Sequence, residues 1–294
     1  MKMIIICVLL TCNYKFSILN PHLMLSKLKS TLLIFLVTSN ISFAQDWNLV
    51  WSDEFDYEGQ PDARKWGVDQ WPARKVNDED QAYTDRSKNI RVADGKLVLE
   101  AHREDYQGAA YTSGRLHSMG RGDFLYGRID VNAKLPAGQG LWSALWMLPS
   151  DPYRYATTCD NGAEWQGNPD CDAWPNSGEI DIMEFRGDET YVSLGTIHGP
   201  GYSGGEGIGS EYTLPEGTFT DDYHTFAVEV DPEHIAWYID DTLFQRITPA
   251  DLPAGTPWQM DWLHCNQHTE AADAKGCRMK LGCTLVEPTP SNNC

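Results

Sequence analysis

The sequence predicts an all-β protein, an antiparallel sandwich, on three observations. Short alternating runs recur from Gln45 to about Trp258, and Gly- and Asp-containing turn signals separate them. No convincing amphipathic helix interrupts that stretch.

The elements read in order. Asp94-Gly95 turns the chain into Lys96–Ala101, where Leu97 and Leu99 share one face. Tyr223–Val230 alternates, with Phe226, Val228 and Val230 opposite Glu229. Ile235, Trp237 and Ile239 repeat the pattern just before Asp240-Asp241, a hairpin-turn signal. No internal repeat or linker divides residues 45–258, which are expected to form one domain.

The two ends differ from this middle. Residues 1–44 hold four lysines and no acidic residue. Lys27 and Lys29 precede the apolar run Thr31–Val37, and Ser42-Phe43-Ala44 follows, the three parts of a secretory signal. The chain is therefore expected to be secreted, to an extracellular or periplasmic space, with cleavage near Ala44 and Met24 as an alternative start. The apolar run is too short to span a bilayer. At the other end, residues 259–294 hold four of the eight cysteines and few β-branched residues. That tail is expected to be a Cys-containing appendage or a frame-disturbed stretch, without strands. Its cysteine spacing matches no paired Cys-x-x-Cys metal pattern, so no metal is expected there. Cys159 and Cys171 flank one polar loop that an export compartment would let them close as a disulfide.

Charge narrows the partners. The chain has 23 Lys+Arg against 42 Asp+Glu, a net charge of -19, and removing residues 1–44 with their four lysines makes it -23. Such a surface repels phosphate backbones and anionic lipid, so neither nucleic acid nor a stable membrane partner is expected. A neutral polysaccharide meets no such penalty, and the 11 tryptophans offer flat apolar faces on which pyranose rings stack. A monomer is expected.

The segment Trp174-Pro175-Asn176-Ser177-Gly178-Glu179-Ile180-Asp181-Ile182-Met183-Glu184-Phe185 carries the chemistry. Strand alternation puts Glu179 and Asp181 on one face and Ile180 and Ile182 on the other. Glu184 has the wrong parity and would point among the isoleucines. One extra residue, with Met183 the candidate, would form a β-bulge and return Glu184 to the Glu179 face. A carboxylate left among apolar side chains would cost several kcal/mol, so the bulge is the better reading. Three convergent acids suit glycoside cleavage, in which one carboxyl is nucleophile and another is acid then base. A solvated acidic edge or a calcium site would use the same residues.

Gly178-Glu179-Ile180-Asp181-Ile182-Met183-Glu184 resembles the signature of glycoside hydrolase family 16 in its β-bulge form. Trp51-Ser52-Asp53-Glu54-Phe55, Tyr111–Leu116, Tyr126-Gly127-Arg128 and Gly140–Pro149 extend the resemblance, and Gly195–Gly205 is similar to the laminarinase branch. The resemblance covers roughly residues 46–258. It implies a concanavalin-A-like β-jelly-roll of two antiparallel sheets with a substrate cleft on the concave one. It also implies a retaining endo-β-1,3-glucanase that could accept mixed 1,3-1,4 linkages, with Glu179 as nucleophile, Asp181 assisting and Glu184 as acid/base. Trp174, Trp142 and Trp146 would line glucan subsites, and Arg115 and His198 would supply polar contacts. No cofactor is implied; some relatives hold a structural calcium with an Asp on a closing strand, which has no counterpart here. The same scaffold also serves agarase-like galactan hydrolases, non-catalytic carbohydrate binders and inactive truncated homologues.

Overall fold

The computed structural model describes residues 2–12, 47–150, 173–256, 258 and 277–285. The Cys159–Cys171 pair lies outside the described residues. In chain order the strands are β1 (Lys2–Cys12), β2 (Trp47–Asp53), β3 (Gly67–Val68), β4 (Gln81–Tyr83), β5 (Ile90–Val92) and β6 (Leu97–Glu100). Next come β7 (His102–Tyr106), β8 (Ala109–Ser113), β9 (Arg115–His117), β10 (Gly127–Lys134), β11 (Leu141–Pro149) and β12 (Glu179–Arg186). The last are β13 (Val192–His198), β14 (Ile208–Thr213), β15 (His224–Val230), β16 (Ile235–Ile239), β17 (Thr242–Ile247) and β18 (Cys277–Leu285). Helix among the described residues is limited to two short 3₁₀ turns, Gly204–Glu206 and Pro249–Asp251.

Two large sheets make the sandwich. The outer one runs β17-β16-β15-β10-β1-β6-β5, with β2 also paired to β1; the other runs β14-β13-β12-β11-β18-β9-β3. A third, small sheet runs β4-β8-β7. Alternation decides which side chains enter the core. In β10, Ile129, Val131 and Ala133 are buried while Arg128, Asp130 and Asn132 are not. β11 buries Leu145 and Met147 on one face and leaves Trp142, Ala144, Trp146 and Leu148 on the other, which is the cleft. The inner faces meet around Phe185, Phe219, Phe226 and Trp237, each fully buried. Burying side chains of this size stabilises by roughly 1.5–3 kcal/mol each.

The hairpin expected at Asp240-Asp241 is present. Both residues have positive φ, 48° and 62°, between paired Ile239 and Thr242. Positive φ at both central residues matches the right-handed twist of the flanking strands.

Both ends of the chain enter sheets. The tail was expected to lack strands; instead β18 lies between β11 and β9, pairing from Leu141↔Leu285 through Pro149↔Cys277. Its sequence alternates Cys277, Met279, Leu281, Cys283 and Leu285 with Arg278, Lys280, Gly282 and Thr284. Cysteines and a scarcity of β-branched residues disguise a period-2 pattern that a flanked strand can use. At the front, β1 pairs with β10, β6 and β2, inside the segment read as leader. An apolar run such as Ile4–Leu10 serves equally as a signal core and as an interior strand, because both demand continuous hydrophobicity.

Candidate active site

The bulge forms, one residue earlier than expected. Along β11, Leu145 opposes Met183 and Trp146 opposes Asp181, so Ile182 is the residue without a place in the register. Along β13, Thr196 opposes Asp181 and Leu194 opposes Glu184, so Gly195 stands alone across from Ile182 and Met183. Two residues against one is the definition of a β-bulge. Ile182 and Met183 are both buried, and the phase changes between them. Before the bulge, Ile180 is core and Asp181 faces the cleft; after it, Phe185 is core and Glu184 faces the cleft. Parity alone would have sent Glu184 inward.

Neighbouring strands complete the cleft floor. His198 on β13 pairs with Glu179 and brings Nε2 within 3.2 Å of Asp181 Oδ2. Trp142 on β11 donates its indole N–H to Glu184 Oε1 at 3.1 Å. Trp174, at a cis Trp174–Pro175 bond just before β12, sits with its ring 6.1 Å from that of His198. Trp146 shares the Trp142 face and is the register partner of Asp181.

Arg115 occupies a different position from a solvent-facing sugar contact. It is only 5% exposed, its Nε lies 3.1 Å from Asp69 Oδ2, and its guanidinium lies over Trp71, Trp146 and Tyr83 at 4.3, 4.9 and 5.5 Å. Asp69, Trp71 and Tyr83 were not anticipated from the sequence. The only signal for them was aromatic residues in and beside a turn-rich loop, which elsewhere in the chain marks ordinary packing.

Electrostatics favour proton retention. Burial pushes the Glu179 carboxyl well up, and the charge and hydrogen bonding of Asp181 add to it, while His198 and Trp174 oppose. Burial also raises Asp181 well above its ordinary value, with the Glu184 charge adding. Glu184 is raised by burial as well, held partly down by His198, Trp142, Thr196 and Arg186. Acids packed this closely share protons rather than ionising independently. Glu179, Asp181 and His198 bring ligating atoms within 4.8 Å of one another, a spacing a metal ion could bridge. Burial raises two of the three donors, the carboxyls of Glu179 and Asp181, which opposes that use because a metal ligand must be deprotonated.

A family model described as Glycosyl hydrolases family 16 matches residues 77–275. The Beta-glucanase of Rhodothermus marinus is 41% identical over 224 residues, covering 75% of this chain and 71% of the relative. A Glucan endo-1,3-beta-glucosidase of Cryptopygus antarcticus is 35% identical over 207 residues, covering 67% of this chain and 68% of the relative. Among solved structures, the laminarinase from Rhodothermus marinus superposes with TM-score 0.66 at 35% identity, over 82% of this chain and 86% of that one.

Proposed function

This chain belongs to glycosyl hydrolase family 16, and from that premise we propose that it hydrolyses internal β-1,3 linkages of laminarin-like glucans, tolerating mixed 1,3-1,4 chains, with retention of configuration. One observation carries the reading: the bulge at Ile182-Met183 aligns Glu184 with Glu179 and Asp181 on the cleft face.

In the proposed sequence, the Glu179 carboxylate attacks the anomeric carbon and the glycosidic C–O bond breaks. Glu184 gives its proton to the departing sugar oxygen. Water then attacks the glycosyl-enzyme ester, its proton passes to Glu184, and Glu179 leaves as carboxylate. Asp181, between them in the strand and beside His198, repels negative charge on Glu184 and so favours the proton that Glu184 must hold until the sugar departs. Trp142, Trp146 and Trp174 offer faces for sugar stacking, and His198 a polar contact.

Reducing-sugar release by the full chain from laminarin, lichenan and agarose tests the substrate. Release from laminarin is expected; release from agarose alone would assign a galactan hydrolase, and binding of laminarin without release a carbohydrate-binding protein. Proton NMR of the first product tests retention, for which the β-anomer must appear before mutarotation. Glu179→Ala is expected to lower turnover by ~10⁴-fold or more while laminarin binding persists, the scale on which one member of a covalent unit matters. Unaltered turnover would remove Glu179 from this role.

Export remains part of the proposal, supported by the basic, apolar and small-residue order of Lys27–Ala44. N-terminal sequencing of the exported protein tests it: Gln45 as first residue supports cleavage, while a retained Lys2–Cys12 assigns that segment to the sheet. A monomer is proposed, to be checked by light scattering.

A further inference from the structure

Two side chains of the opposing sheet bond the backbone on either side of the bulge. Trp237 on β16 of the outer sheet reaches across the sandwich, and its indole N–H donates to the Asp181 backbone carbonyl at 2.8 Å. Its register partner on β17, Gln245, donates through Nε2 to the Gly195 carbonyl at 3.2 Å. Asp181 opens the bulge, and Gly195 is the residue opposite it. Two adjacent donors from one sheet therefore take the two backbone carbonyls that flank the irregularity in the other.

This placement is specific. A regular strand directs its carbonyls sideways into the ladder, where a side chain from the opposing sheet cannot reach them. The bulge disrupts the ladder and leaves a carbonyl to be satisfied inside an apolar core. Trp237 is fully buried and Gln245 nearly so. Gly195 leaves the room: a Cβ there would lie 2.5 Å from Trp237 Cδ1 and 2.7 Å from Nε1. The outer sheet has a matching irregularity, for β17 skips Phe244 in the register immediately beside Gln245. Within the catalytic sheet, Ser193 adds a longer 3.4 Å bond to the Glu184 carbonyl.

We infer that Trp237 and Gln245 form a cross-sandwich clamp that fixes the phase of β12, and so act as positioning residues for the acid/base Glu184. Releasing the clamp lets the bulge migrate or relax, which turns Glu184 away from the scissile oxygen while Glu179, on the near side of the bulge, keeps its place. The inference rests on the acid/base role proposed for Glu184, and its test separates the two.

The test uses the full chain and two substrates in kcat/KM, which reports the steps through glycosyl transfer to the enzyme. A laminari-oligosaccharide has a sugar leaving group that needs a proton from Glu184, whereas a dinitrophenyl β-laminaribioside has a leaving group that needs none. Glu184→Gln calibrates the assay: the oligosaccharide rate should collapse and the dinitrophenyl rate should persist. Trp237→Phe keeps most of the ring and deletes the donor. It is expected to lower the oligosaccharide rate by about tenfold or more, since a misplacement of about 1 Å can cost ~10²-fold. The dinitrophenyl rate should change by less than about twofold, as expected where acid assistance is absent. Gly195→Ala, which pushes the indole away, and Gln245→Met should give the same split. These two decide the matter if Trp237→Phe does not fold. Equal loss on both substrates, or no loss on either, overturns the clamp. Failure of Glu184→Gln to show the split would instead overturn the role of Glu184.

Discussion

The indole N–H of Trp142 donates to Oε1 of Glu184 at 3.1 Å, which ties a cleft-wall aromatic to one of the three acids. Trp142 is 37% exposed, and its N–H stabilises the carboxylate form of Glu184. The bond forms across one strand face, because Trp142 lies two residues along β11 from Ala144, the register partner of Glu184.

Removing that donor has a definite sign. Burial already raises Glu184, and the Trp142 hydrogen bond works against the rise. Trp142→Phe deletes a bond to the charged form, so the carboxyl rises further. In the acid/base role proposed for it Glu184 must be protonated to assist departure, so the basic limb of kcat/KM is expected to move to higher pH. A pH–rate profile of the variant on a laminari-oligosaccharide reads the shift; an unmoved or lowered basic limb would show that the bond does not govern this proton.

The raised acids also bear on stability. Glu179 and Asp181 have folded-state values above their ordinary 4.5 and 3.8. Between the unfolded and the folded value the native state binds more protons, so stability falls as pH rises through that window. Glu179→Gln and Asp181→Asn replace the burdened carboxyls by neutral amides of similar shape. Both are expected to melt higher than the parent at pH 7–8, with the gain fading below about pH 4, where the carboxyls are protonated in both states. Each kcal/mol gained corresponds to roughly 2–4 °C in a chain of this size. Thermal melts across pH test this, and a gain that is constant with pH would trace to packing rather than ionisation.

Much of this architecture was legible locally. Alternation marks Lys96–Ala101, Tyr223–Val230 and Ile235–Ile239, where strands Leu97–Glu100, His224–Val230 and Ile235–Ile239 form, and the parity of Glu184 demands a bulge. The bulge was off by one residue because Ile182 and Met183 are both apolar, and only the partner Leu145 decides which keeps its register. The strand Cys277–Leu285 was missed because cysteine and glycine are weak strand formers whose alternation becomes decisive only between two waiting edges. Alternation also put Trp237 on an inner face, yet its acceptor lies 56 residues away in sequence. Contacts of that range depend on how two sheets stack, and no window of sequence encodes the stacking.

The Arg115 cage belongs to the same class, since Asp69, Trp71, Tyr83 and Trp146 converge on it from three segments. A planar guanidinium can stack on these faces while its edge bonds Asp69; an ammonium can do neither in the same way. Arg115→Lys keeps the charge and is expected to loosen the cage, raising KM for laminarin several-fold with little change in kcat, because Trp146 leads from the cage to the catalytic strand. Arg115→Met leaves the Asp69 carboxylate beside an apolar side chain. Breaking a mostly buried pair from one side costs ~3–5 kcal/mol, so a large drop in melting temperature should accompany it. The double variant Arg115→Met/Asp69→Leu removes both charges and should recover most of that loss, since replacing a buried pair with apolar groups is often near neutral. Melting curves of the three variants, with Michaelis kinetics for Arg115→Lys, separate cage from charge. A double variant no more stable than Arg115→Met would show that the aromatic stacking, and not the pairing with Asp69, holds this wall of the cleft.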